Sequence, residues 1–84
     1  MRADTLDIIA TIDVRGKPCT ERKAAIFGLY ASLDDNEAFE FINDHDPAPL
    51  RGVFDAIAPD GYAWTYVEQG PDAWRVRISR SLMP

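Results

Sequence analysis

EAFEFINDHDPAPLRGVFDAI, residues 37–57, changes its hydrophobic period part-way along. Over residues 37–43, Phe39 and Phe41 alternate with Glu40, which predicts a strand with both rings on one face. Asp44, His45, Asp46 and Pro47 then form a turn, in which Asn43 and Asp44 also read as turn formers. Asp46 suits an N-cap and Pro47 a first helical position, where no amide donor is needed. Pro49 biases Ala48 away from helical angles, so the start is fixed only to within about a residue or two. Leu50, Val53, Phe54 and Ile57 stand at i, i+3, i+4 and i+7, the spacing of a short amphipathic helix. Pro59, Asp60 and Gly61 end it.

The flanking segments fall into place around this unit. Upstream, residues 6–15 read as a strand: Leu6, Ile8, Ala10, Ile12 and Val14 alternate with Ile9, Thr11, Asp13 and Arg15. Gly16 and Pro18 stop it. A helix is predicted from about Thr20 to Leu33, with Ile26, Phe27, Tyr30 and Leu33 on its apolar side. Downstream, Tyr62, Trp64 and Tyr66 alternate with Ala63, Thr65 and Val67, and the turn EQGPD at residues 68–72 leads into Trp74, Val76 and Ile78 alternating with Arg75, Arg77 and Ser79. The order βαβαββ predicts an α+β two-layer sandwich with both helices on one sheet face. The predicted core sets Ile26, Tyr30, Leu33, Leu50, Val53, Phe54 and Ile57 against Phe39, Phe41, Trp74 and Val76. Residues 1–84 read as a single domain without repeats or linkers.

Composition narrows the function. Eighty-four residues bury about 60–65 % of their unfolded surface, so a site is expected at an edge or on a face rather than in a deep chamber. A net charge of −5 makes nucleic acid and anionic membranes unfavourable partners. No apolar run is long enough to span a bilayer, and the first residues lack the build of a secretion signal, so a cytoplasmic location is expected. One cysteine rules out an internal disulfide framework and a multi-thiolate zinc site. No phosphate-binding glycine motif and no catalytic triad is present, so no cofactor and no self-sufficient enzyme is expected.

Two resemblances follow from particular residues. Ile12 to Arg22, with Cys19 at the helix start, resembles the opening of the TusA/SirA-type sulfur carrier proteins; Thr20 and Arg22 stand where that family has prolines. Asp13-Val-Arg15, Glu21-Arg22, Asn43 to Pro47 with Pro49-Leu50, Gly70-Pro71 and Trp74 to Arg77 resemble an uncharacterised bacterial domain-of-unknown-function family with an NDHDP motif. That family is related in fold to the TusA/SirA-like proteins, and its members stand alone or fused to hemerythrin-like or cupin domains. The resemblance implies a mixed sheet in the order 1-2-4-3 with strand 4 reversed. The turns after strands 1, 2 and 3 would then share one edge, where open α/β sheets commonly bind ligands.

The candidate residues cluster at that edge. Cys19 opens a helix, where unpaired amides favour an anion, and Arg15, Lys17, Arg22 and Lys23 add positive charge. It is either a chemically active thiol or an ordinary half-buried cysteine. His45 between Asp44 and Asp46 is a loop stabiliser, a partner or ligand contact, or a metal ligand; no metal site is assigned, because neighbouring side chains in a turn point apart. Gly70, Pro71 and Trp74 complete the candidate binding set with Arg15, Arg22 and Asp44 to Asp46. On the open face Arg75 and Arg77 project together, and Glu40 is placed to face one of them. If Tyr62, Trp64 and Tyr66 shared that face, the stripe would resemble a base-stacking platform; otherwise they are core.

These features point to a small carrier, accessory or protein-interaction module that works through a protein partner. Two alternatives stand beside it. One is a sulfur-relay protein bearing a persulfide on Cys19. The other, implied by the fusions of the resembling family, is a sensor module tied to metal or nitrogen-oxide metabolism.

Overall fold

The alternation read in residues 37–43 is realised as the central strand of a sheet. In a computed structural model, which describes residues 7–58 and 61–80, the elements are β1 (Asp7–Asp13), α1 (Cys19–Ala31), β2 (Glu37–Asn43), α2 (Ala48–Ile57), β3 (Tyr62–Gln69) and β4 (Trp74–Arg80). The sheet order is β1-β2-β4-β3. β1 and β2 are parallel, and β4 runs antiparallel to both β2 and β3. The result is an α+β two-layer sandwich with a mixed sheet, as the element order predicts. Leu6, proposed to start β1, and Pro59 and Asp60, proposed to stop α2, lie outside the described residues.

Both helices cover one face. Phe39, Phe41, Val76 and Ile78 are fully buried there, joined by Val14, Ile26, Leu33 and Phe54. Phe54 is the hub of the layer. Its ring lies 4.7 Å from Phe27 and 5.2 Å from both Tyr30 and Tyr62, and Trp64 meets it edge-on at 6.3 Å. Ring pairs in these geometries add to the burial of area. Tyr62, Trp64 and Tyr66 therefore belong to the helix-covered side, and among the described residues no aromatic stacking stripe lies on the open face.

Several expectations shift on inspection. β1 ends at Asp13, two residues short, because Arg15 folds back onto the Asp13 carboxylate. Val14 still continues the ladder by donating its amide to Ile42 at 3.0 Å. A bulge between Ile8 and Ala10 breaks the alternation of β1, leaving Ile8 and Ile9 exposed. α1 starts one residue early at Cys19 and ends before Leu33, which is nevertheless buried. Ile57, expected in the core, is 59 % exposed: as the last residue of α2 it lies one turn past Phe54, which fills the aromatic pocket. Leu50 and Val53 are only partly buried because they face a cleft.

Candidate functional site

β1, β2 and β3 all end at the same edge of the sheet, where β4 begins; Asn43, Trp74 and Gln69 are register neighbours there. Asn43 shares the parity of Phe39 and Phe41, so a polar side chain enters the helix-covered side and is buried. An inward polar group must be hydrogen-bonded. Asn43 accepts from Arg22 Nη1 at 2.6 Å and donates through Nδ2 to the His45 carbonyl at 3.2 Å. Arg22 also donates to the Lys17 carbonyl at 2.6 Å and approaches both Asp44 oxygens at 3.3 and 3.4 Å. One guanidinium thus stitches the β1–α1 loop, the end of β2 and the following turn. Planar, multi-donor arginine is suited to that task, and lysine is not.

The rest of the turn divides its work between the chain and the solvent. Asp44 pairs with His45 Nδ1 at 2.6 Å. Hydrogen bonds from His45 and then Arg22, with their charges, hold the Asp44 carboxyl below its ordinary range. Asp46 Oδ1 accepts the Ala48 amide at 3.1 Å and the Tyr66 hydroxyl at 2.8 Å. The N-cap of α2 is Pro47 rather than Asp46, and Pro49 stands inside the first turn. The capping register is therefore one residue later than expected, while Asp46 still holds an orphan amide of the helix start. Burial and then the bond to Asp46 push the Tyr66 hydroxyl pKa up.

Between the beginnings of the two helices lies a cleft of about 210 Å³. Val14, Ile26 and Phe41 form its floor with Asn43; Pro47, Pro49, Leu50 and Val53 form one wall; Cys19, Arg22, Lys23 and His45 complete its lining. Cys19 is exposed and free, on the first residue of α1. His45 presents an imidazole whose side chain is 64 % exposed.

Of the residues expected at the edge, the cleft gathers Cys19, Arg22 and His45. Asp44 supports Arg22 and His45 from behind, and Asp46 is turned toward Tyr66. Arg15 is committed to Asp13, and its hydrogen bonds bring the Asp13 carboxyl down to about 2. Gly70, Pro71 and Trp74 stand at the same edge but not in the cleft lining. Gly70 has φ of +58°, and a Cβ there would meet the Trp74 ring at 2.8 Å, so this turn needs a glycine. Sequence reading passed over Asn43 as a receptor for Arg22, and over the apolar wall as a binding surface. The inward parity of Asn43 was the available signal.

A family model described as Uncharacterized conserved protein (DUF2249) matches residues 11–80. The chain belongs to this family. The match takes in the whole sheet edge, both helices and the cleft. No curated protein and no solved structure matches the chain. Among the described residues, no helix is long and apolar enough to cross a membrane, and no group of three or more His, Cys, Asp or Glu side chains is arranged to hold a metal ion.

Proposed function

We propose that this member of the family is a docking or carrier module of the cytoplasm whose cleft receives a short segment of a partner protein. The carrying observation is the cleft itself, open at the sheet edge, with an apolar wall and a polar mouth. Pockets for drug-sized ligands run to roughly 300–1,000 Å³, so about 210 Å³ suits one large side chain and its neighbours better than a cofactor. Leu50 and Val53 remain partly exposed on the wall, and a docked apolar side chain would bury them. The test is capture from a cell lysate with a photo-crosslinker attached at Cys19. A partner crosslinked by the wild-type protein and lost in Val53→Glu, with unfolding unchanged, supports the reading; no crosslink above background overturns it.

A second reading rests on one specific feature, the position of exposed Cys19 on the cleft lining. A sulfur carried there would lie where the partner docks, and the 1-2-4-3 sheet agrees with the order implied by the resemblance to the TusA/SirA-type carriers. The Cys19 thiolate would attack the outer sulfur of a desulfurase persulfide, keep that sulfur and release the desulfurase thiolate. Incubation with a cysteine desulfurase and cysteine should then add one sulfur to the chain, and Cys19→Ser should abolish the adduct. An unmodified Cys19 rejects this reading without touching the docking proposal.

A further inference from the structure

The sheet face opposite the helices carries a polar row, Thr11–Glu40–Arg77–Thr65, running across all four strands, with Arg75 beside it on the same face of β4. Glu40 has a side chain only 8 % exposed, yet each of its oxygens holds a guanidinium: Arg75 Nη1 lies 2.8 Å from Oε1, and Arg77 Nε and Nη2 lie 3.0 and 2.9 Å from Oε2. One arginine neutralises a buried carboxylate; the second leaves a surplus positive charge. Both guanidiniums stay about one-third exposed, at 34 % and 36 %, and among the described residues most of their N–H donors are uncommitted. Glu68, the register partner of Arg75 on β3, makes no ion pair with it among the described residues. The Glu40 carboxylate thus fixes two forks side by side, aimed away from the helices.

We propose that this face docks an acidic segment of a partner protein, one of whose carboxylates is gripped by Arg75 and Arg77 above Glu40. Local charge decides the partner class, since two guanidiniums are paired with one carboxylate and a second carboxylate neutralises the surplus. The attraction is short-range, because the chain as a whole carries −5. The amides of the central strands β2 and β4 are spent in the ladder, so a free phosphate would find here no backbone-amide cradle, only the two forks. A strip about 15 Å wide, three strand spacings of roughly 4.8 Å, suits an extended segment. Nucleic acid is disfavoured by the placement of Tyr62, Trp64 and Tyr66 on the helix-covered side, which leaves bases no stacking partner among the described residues of this face. This surface is separate from the cleft, and its fate does not decide that of the cleft.

The experiment is an amide and arginine side-chain NMR titration of the full chain with a ten-residue Asp-Ser repeat peptide. Parallel titrations use a Lys-Ser repeat, inorganic phosphate and an oligothymidine. The acidic peptide should shift Thr11, Thr65 and the side-chain N–H signals of Arg75 and Arg77, and the other three probes should not. Glu40→Gln removes the negative charge beneath the docked carboxylate while its amide oxygen still accepts from a guanidinium, and should tighten binding about fivefold, whereas Arg77→Lys, which keeps the charge but loses the fork, should weaken it about fivefold. No shift on this face, equal shifts with phosphate or oligothymidine, or unchanged affinity in folded Glu40→Gln overturns the proposal.

Discussion

The two faces of one sheet reach the same burial by different means. On the helix-covered face, Phe39, Phe41, Val76 and Ile78 are fully buried among apolar neighbours. One residue along the same strands, Ala38, Glu40 and Ser79 are buried too, on a face that neither helix covers. The first face is held by area and close packing, which involve no titrating group and are not weakened by electrostatic screening. The second is held around a carboxylate that tolerates burial only because two arginines supply its partners. Low exposure alone therefore does not mark a core residue. The chemistry of the neighbours decides how a site fails when it is disturbed.

The largest effect should come from the packed face. Phe54→Ala deletes the ring around which Phe27, Tyr30, Tyr62 and Trp64 are arranged. The expected cost is about 3–5 kcal/mol, against a total of roughly 4–13 kcal/mol for a domain of this length. Thermal or urea unfolding should show the midpoint falling by about 15 °C or more. A loss under about 1 kcal/mol would mean that the aromatic layer is not what holds the helices.

The open face should fail next, and differently. Glu40→Ala leaves two guanidiniums without their shared acceptor; because these are partly solvated, the cost is expected nearer 2–3 kcal/mol than the upper range for buried pairs. Burial pushes the Glu40 carboxyl up, but hydrogen bonds and charge from Arg75 and Arg77 outweigh it and hold the group below its ordinary value of 4.5. A carboxyl lowered by folding contributes stability above its unfolded pKa and loses it as pH falls through the folded value. The wild-type unfolding midpoint should therefore drop on acidification below about pH 4.5, and Glu40→Gln should flatten that drop. Exposed Asp13 and Asp44 are lowered as well and contribute a residual slope of the same sign, which salt should screen. Phe54→Ala should leave the slope unchanged, and a slope that moves there instead would dissolve the contrast between the faces.

The same contrast governs what was legible in the sequence. β2 was readable to the residue because Phe39 and Phe41 impose a period of two with a charged residue between them. The hairpin aromatics were not assignable to a face by pattern alone, since Tyr and Trp suit either; Phe54 decides it by requiring rings around it. Ile57 fits helical spacing perfectly and still lies in solvent, because periodicity does not say where the sheet ends. Glu40 could be paired across the ladder with one arginine, but its grip on both depends on side-chain reach. The cleft was invisible in local pattern, being a gap between two helix starts separated along the chain. Asn43 was hidden by its residue type, which signals a turn even when its parity points inward.

At the edge where the faces meet, Asp46→Ala should have a moderate effect. It removes the acceptor for the Ala48 amide and for the Tyr66 hydroxyl, so it unties both the start of α2 and its link to β3. A lost helix-start acceptor costs about 1 kcal/mol, and the partly solvated tyrosine bond adds a fraction of another. Spectrophotometric titration gives an independent reading: with the carboxylate gone, the Tyr66 pKa should move back toward its ordinary value, burial being the cause that remains. No change in either quantity would show that the turn is held by Arg22 and Asn43 alone.

His45→Ala should have the smallest effect on stability and a selective one on docking. The ring is largely exposed, and its partner Asp44 keeps Arg22 when the imidazole is removed. The structural contribution of residue 45 runs through its carbonyl, which accepts from Asn43 Nδ2 and survives the substitution to alanine. The unfolding free energy should therefore change by no more than about 0.5 kcal/mol, below the loss expected for Asp46→Ala. Because the imidazole lines the cleft beside Cys19 and Leu50, removing it should still weaken crosslinking of the proposed partner. Measured together, the two variants divide the NDHDP turn into a residue that holds the edge and a residue that faces the cleft. If His45→Ala destabilises as much as Asp46→Ala while crosslinking persists, the ring is part of the scaffold and the polar mouth of the cleft reduces to Arg22 and Lys23.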